Sequence, residues 1–239
     1  MQPFRKSNNY ESTCWPGVRA VFSDDRERIT IDAPGMLRTI SSAVYGGGMA
    51  SADRFVNWKV PLSYNNDDPN TEILDRLGQW GLDGDRSVVL MTAAKLTHAS
   101  VSEYRDDRFK LICLTTAGTG NAARAGSERT VYEAWRPGTI NTFLLFDGQL
   151  SDAAMVNALM TAVEAKAAAL QDVGLRDPDN GLIATGTTTD AIVLGVSGNS
   201  AYGAVHEYAG TATTVGAAIG KLVYDTAYEA VVTQGEELS

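Results

Sequence analysis

The chain has 239 residues, 44% of them hydrophobic and 21% charged, which is enough apolar material for one large soluble domain or two small ones. A formal charge of −9 gives no attraction to nucleic-acid phosphates or anionic lipid. The N-terminal residues lack an apolar signal core and no run approaches about 18 apolar residues, so a cytoplasmic protein with no membrane partner is expected.

Val18–Phe22 and Arg28–Asp32 flank a Ser-Asp-Asp turn, and Ile29 and Ile31 alternate with Thr30, predicting a β-hairpin. Pro34-Gly35 is expected to turn the chain before a third strand over Leu37–Val44, which runs into Gly46-Gly47-Gly48. Such a glycine run, Gly47 at its centre, either lets backbone N–H groups converge on a ligand or forms a plain loop. Phe55–Val60 is a further short strand and carries Asn57. After the polar loop from Tyr64 to Asn70, Thr71 can cap a helix over Glu72–Trp80 that Gly81 stops. Ser87–Ala94 predicts a buried strand, and Val101–Arg105 with Phe109–Leu114 a hairpin around Asp106-Asp107. His98, in the connection between them, is a substrate-binding candidate, although a lone loop histidine is more often only solvated or hydrogen-bonded.

Cys14 and Cys113 are the only cysteines, and Cys113 sits in an apolar run where a reduced, buried thiol is expected. Two histidines without metal-ligand spacing argue against zinc and leave room only for a carboxylate-bound Mg²⁺ or Ca²⁺; no cofactor is expected.

Leu150-Ser151-Asp152 opens the best-marked helix, with Ser151 as N-cap and an end near Leu170. Met155, Leu159, Val163 and Leu170 form its apolar side, and Ala158, Ala162, Ala165 and Ala169 an adjoining small-residue seam. Lys166 falls in the apolar sector, so it either snorkels outward or pairs with a buried carboxylate. Glu164, Asn157 and Thr161 fall on the opposite side, which is solvated or lines a cleft.

Leu182–Ala184 and Ala191–Val196 suit short buried strands, and the turn between them carries Gly186, Thr187, Thr188, Thr189 and Asp190. Such a turn can hold a polar substrate beside a carboxylate, but threonine also serves purely structural turns. Thr213 or Thr214 can cap a last helix to about Val232, whose glycine notch at Gly216 and Gly220 predicts packing against the alanine seam. The N–H groups at its start would then face the threonines. The echo between Ala117-Gly118-Thr119 and Ala209-Gly210-Thr211 is too short for a duplication.

Thr116-Ala-Gly with Asn121, Gly138-Thr139-Ile-Asn141, Glu164-Ala-Lys166, Thr185-Gly-Thr-Thr-Thr-Asp190 and Tyr208-Ala-Gly-Thr, in this order, resemble the adenosylcobinamide amidohydrolase family over about residues 37–232. The resemblance implies a corrinoid-salvage enzyme that hydrolyses the aminopropanol amide of adenosylcobinamide, and it brings no settled mechanism. Chemistry then assigns roles. Asp190 or Glu164 would activate water, Lys166 would hold a carboxylate ionised or supply the proton, and Thr187, Thr188 or Thr213 would be an alternative nucleophile. Asn121, Asn141, Thr139, Thr187 and backbone groups at Gly186 and Thr213 would meet the neutral amides and the oxyanion. A non-catalytic corrinoid-binding protein and an amidase for another amide are the competing readings. No GxxxxGK[ST] motif supports a nucleotide site.

The expected fold is one α+β domain over residues 1–239, a mixed and mainly antiparallel sheet with packed helices; the alternative is an α/β sandwich. A homo-oligomer is left open.

Overall fold

The computed structural model describes residues 1–129 and 139–237. The first half contains β1 (Asn9–Glu11), β2 (Arg19–Phe22), β3 (Arg28–Ser41), β4 (Gly48–Lys59), α1 (Pro69–Gln79), β5 (Ser87–Thr92), β6 (Ser100–Arg105), β7 (Lys110–Ala117) and β8 (Ala122–Ala123). The second contains β9 (Ile140–Asp147), β10 (Gln149–Leu150), α2 (Asp152–Val173), β11 (Gly186–Thr187), β12 (Ala191–Val196), β13 (Val205–His206) and α3 (Thr214–Thr233).

Alternation sets the first strands: Ile29 and Ile31 are buried in β3 while their neighbours are less so, and Phe22 of β2 pairs opposite Ile29. Pro34-Gly35 does not turn the chain. It lies inside the 14-residue β3, at a shift in register against β4 between Asp32 and Leu37. Proline lacks a donor and is tolerated at such an irregularity. There β3 exchanges one neighbour for another, since its first half pairs with β2 and its last residues, Arg38–Ser41, pair with β12.

The nine-stranded sheet is curled and mixed. From β3 it continues through β12, β9, β7 and β6 on one side and through β4 and β5 on the other. Among the described residues only β4/β5 and β9/β12 run parallel within it. This is the α+β arrangement expected from the hairpins.

Strand periodicity divides the core. Ile112 and Leu114 of β7 point to one face, where they join Phe55, Phe143, Val193, Trp15 and Phe4. Leu111 and Cys113 point to the other, beneath α2 and α3, with Leu144, Phe146 and Leu194. Cys113 is a free thiol there, as expected; burial pushes its pKa up to about 11. On β4 and β5, α1 contributes Ile73 and Leu77 against Val56, Trp58 and Val89. Asp68, not Thr71, caps α1: its carboxylate accepts from Thr71 N at 3.2 Å, and Pro69 occupies the first turn.

The two long helices pack on each other as their small residues require. Ser151 Oγ accepts from Ala154 N at 3.2 Å, and Thr213 Oγ1 from Gly216 N at 2.9 Å, so both caps are as expected. The glycines of α3 differ in use. A Cβ on Gly216 would stand 2.0 Å from the Gly210 carbonyl, whereas one on Gly220 would just touch Thr161 of α2 at 4.0 Å. Thr161 is therefore no part of a solvated face; it is buried and donates to the Ala209 carbonyl at 2.8 Å. Contrary to the count of apolar runs, α2 is long and apolar enough by length and composition to cross a membrane. In this fold Ala154, Met155, Ala158, Ala162, Ala169 and Leu170 are buried, and the opposite side of the helix is exposed.

Candidate functional site

The segment before β12 is held by the segment after β7. Gly186–Thr187 pairs antiparallel with Ala122–Ala123, and Thr188 N donates to the Asn121 carbonyl at 3.2 Å. Leu182–Ala184, expected as a strand, forms only an isolated bridge from Ile183 to Arg176, and Leu182 is exposed. What the turn builds is a socket for one carboxylate. Asp190 Oδ1 accepts from Ile140 N at 3.0 Å and from the Thr187 hydroxyl at 2.5 Å. Its Oδ2 accepts from Thr187 N at 3.1 Å and from the Lys166 ammonium, with which it forms an ion pair.

Lys166 thus takes the second of its two options, pairing inside the fold, with its side chain 12% exposed against 17% for Asp190. Gly186 is required beside the pair, because a Cβ there would stand 2.3 Å from Asp190 Oδ2 and 2.8 Å from Lys166 Nζ.

The threonines next to the carboxylate are pinned in turn. Asn121 Nδ2 donates to Thr188 Oγ1 at 2.6 Å, and the Thr139 hydroxyl donates to the Thr189 carbonyl at 2.6 Å. Beneath them lies a buried amide chain that the sequence motifs show only in part. Asn141 Nδ2 donates to Asn57 Oδ1 at 2.8 Å and to the Met91 carbonyl at 2.9 Å, and Asn57 Nδ2 donates to Thr116 Oγ1 at 2.8 Å. Asn57, Thr116 and Asn141 are wholly buried. A satisfied buried network of this kind fixes geometry, so Asn141 supports the site from below. Asn57 completes it; its signal was an amide inside the apolar strand Phe55–Val60. Gly138, the first residue of the Gly-Thr-Ile-Asn motif, lies outside the described residues.

Two cavities meet at this carboxylate. A cavity of about 250 Å³ is lined by Tyr64, Thr92, Thr139, Thr188 and Thr189 together with Val44, Val60 and Met91. A groove of about 600 Å³ runs along α2 past Val156, Leu159, Met160 and Val163, and carries Glu164 and Lys166. Ser42, Asp190 and Ala191 line both and form the ridge between them. Val163, expected on the buried side of α2, is exposed in that groove, and Glu164 is exposed on its wall.

Three candidates lie elsewhere. Gly47 is pressed against its own chain, since a Cβ would meet the Ala43 carbonyl at 2.4 Å, so its smallness serves the β3–β4 connection. His98 is buried near the chain termini, where Gln2 Nε2 donates to its carbonyl at 2.8 Å. Burial, with Arg5 and Lys95 nearby, lowers its pKa. Thr213 caps α3 at the other end of the sheet: Arg108, just before β7, donates to Thr214 at 3.1 Å, and β7 starts opposite Asp147 and ends opposite Ile140. The N-terminus of α3 therefore does not face the threonine turn.

Chemically, the arrangement offers a carboxylate bonded to a threonine hydroxyl, an ammonium with further N–H groups, and several threonines beside them. These are the components of proton transfer around an attacking oxygen. Among the described residues no group of three or more His, Cys, Asp and Glu side chains is placed to hold a metal ion.

A sequence model described as adenosylcobinamide amidohydrolase matches residues 16–238, reaching upstream of residue 37, where the resemblance was expected to begin. An adenosylcobinamide amidohydrolase of Halobacterium salinarum is 32% identical over 200 residues, covering 80% of this chain and 78% of its own. One of Methanosarcina mazei is 28% identical over 165 residues, covering 69% and 72%. An uncharacterised protein of Methanocaldococcus jannaschii is 31% identical over 201 residues, covering 74% and 76%. The chain belongs to the adenosylcobinamide amidohydrolase family.

Proposed function

We propose that this protein hydrolyses the amide between the aminopropanol arm and the corrin ring of adenosylcobinamide, releasing adenosylcobyric acid and 1-amino-2-propanol in cytoplasmic cobamide salvage. Family membership supports an amidohydrolase acting on a cobinamide. The observation that carries the reading to particular residues is the Lys166–Asp190 pair on the ridge between two cavities.

Each oxygen of Asp190 already takes two hydrogen bonds. A water approaching it must displace a donor, whereas the Thr187 hydroxyl is already in place to pass its proton to Oδ1. Asp190 is the base for whichever oxygen attacks the amide carbon. Lys166 donates toward the oxyanion and then to the departing nitrogen, so that water is finally split between acid and amine.

The test is incubation with adenosylcobinamide and separation of the corrinoids by liquid chromatography and mass spectrometry, with and without EDTA. Adenosylcobyric acid is expected. Asp190→Asn should lower turnover by about 10² or more with corrinoid still bound, and normal turnover by that variant would remove Asp190 from the mechanism.

A further inference from the structure

α2 buries one side against α3 and the sheet and leaves an apolar stripe facing water. Val156, Met160 and Val163 follow the i, i+4, i+7 spacing of a single helix face and are 50%, 56% and 48% exposed. Solvent-facing positions of a helix are ordinarily polar, so an uninterrupted apolar stripe marks a surface that something covers.

The groove over this stripe is not isolated. Its polar groups are Ser42, Thr142, Glu164, Lys166 and Asp190, and the last two are the ion pair of the candidate site. Across the ridge the character of the lining changes: the smaller cavity presents five hydroxyl-bearing residues, Tyr64, Thr92, Thr139, Thr188 and Thr189, besides Ser42. One side is open and almost wholly apolar; the other is smaller and, though apolar surface still predominates, the more polar of the two.

We propose that the α2 groove seats the corrin ring, the acyl side of the substrate, with Val156, Met160 and Val163 under one ring face, while the smaller cavity receives the amino alcohol that leaves. The assignment rests on the amidohydrolase reading above. It places the scissile amide over Ser42, Asp190 and Ala191, beside the Lys166 ammonium, with the corrin carbons in the α2 groove and the aminopropanol carbons toward the threonines. A broad apolar macrocycle gains contact along a flat helix stripe, and a two-heteroatom amino alcohol finds hydrogen-bond partners in a cavity of about 250 Å³. A second copy of the chain is the other occupant such a stripe could take. Three half-exposed side chains offer well under the roughly 800 Å² per partner of a stable interface, and the groove ends in an ion pair instead of continuing as an apolar face.

The experiment compares wild type, Met160→Asp and Met160→Leu for binding of adenosylcobyric acid, which has the ring and lacks the arm, and for KM with adenosylcobinamide. Met160 is exposed, so circular dichroism and the melting temperature should match wild type. A buried carboxylate under the ring should weaken binding of adenosylcobyric acid and raise KM by about 10-fold or more, and leucine should restore both. Unchanged ring binding by Met160→Asp, with normal hydrolysis by wild type, overturns this assignment and leaves the amidohydrolase reading standing. A wild-type dimer that Met160→Asp converts to monomer in sedimentation gives the stripe to a second copy and also overturns it. Wild type that binds no corrinoid overturns both readings together.

Discussion

Gly186 shows what a single side chain would do to the site. A methyl group at its Cβ position overlaps Asp190 Oδ2 and crowds Lys166 Nζ, and the pair must separate to admit it. Gly186→Ala should therefore lower kcat/KM by about 10²-fold, the scale of an ångström's misplacement of a catalytic group. Gly47→Ala is the contrast. Its clash is with the Ala43 carbonyl, between the cavity residues Ser42 and Val44 but in contact with neither member of the ion pair, so the melting temperature should fall while kcat/KM falls less than in Gly186→Ala. Steady-state kinetics and thermal melts of the two variants check both halves, and equal kinetic losses would contradict the separation. The two glycines look alike in the sequence, because the residue type reveals close approach without revealing what approaches. Threonine carries the same ambiguity: Thr213 and Thr187 were equal candidates, and one proved to cap a helix while the other bonds the carboxylate. Lys166 was more legible, since a charge within an apolar helical sector has only two outcomes.

Elements were legible where the signal is local. Ser151 and Thr213 cap the long helices as residue type and position indicate, because a cap is one side chain bonding a backbone N–H within its own turn. Strand boundaries were less so. Pro34-Gly35 reads as a turn in any short window, and only the exchange of β2 for β12 along β3 explains a continuous strand there. Leu182–Ala184 has strand composition but lacks a ladder to join. At this scale, Ser151→Ala removes the cap bond from Ala154 N together with a longer bond to the Glu207 carbonyl, and should cost about 1 kcal/mol. For a chain of this size that is a drop of about 2–4 °C in melting temperature. Lys166 lies deep in the helix, well beyond the first turn that cap residues influence, so activity at 25 °C should not change. A loss of activity without a loss of stability would mean that the cap acts on the site by some other route.

At the scale of the molecule, sheet order was not legible, because β12 lies between β3 and β9 only through pairings more than 40 residues apart, to which local periodicity is blind. What closes the fold around the site is also nonlocal. Asp177 is fully buried, and its carboxylate accepts from Arg124 N at 2.9 Å, Asp179 N at 2.9 Å and Asn180 Nδ2 at 3.2 Å, with Arg129 as ion-pair partner at 3.2 Å. It fastens the segment after β7 to the segment after α2, and these carry Asn121 and Asp190 into the site. Burial alone would raise the pKa of this carboxyl. The backbone donors, Arg129 and Asn180 outweigh burial and leave it below the ordinary value of 3.8. A carboxyl held low in the folded state binds its proton more readily when unfolded. Its contribution to stability is therefore complete above the unfolded pKa and disappears as pH falls through the folded one. Asp177→Asn lacks that contribution at every pH. Its melting temperature should lie below wild type at pH 7, and the gap should narrow steadily below about pH 4, where wild type loses what the variant never had. Thermal melts of both proteins from pH 7 to pH 3 measure the gap directly. A gap that is constant with pH would mean that Asp177 acts through shape rather than charge. Because the clasp holds the segment bearing Asp190, the variant should also lose activity at pH 7, in contrast to Ser151→Ala.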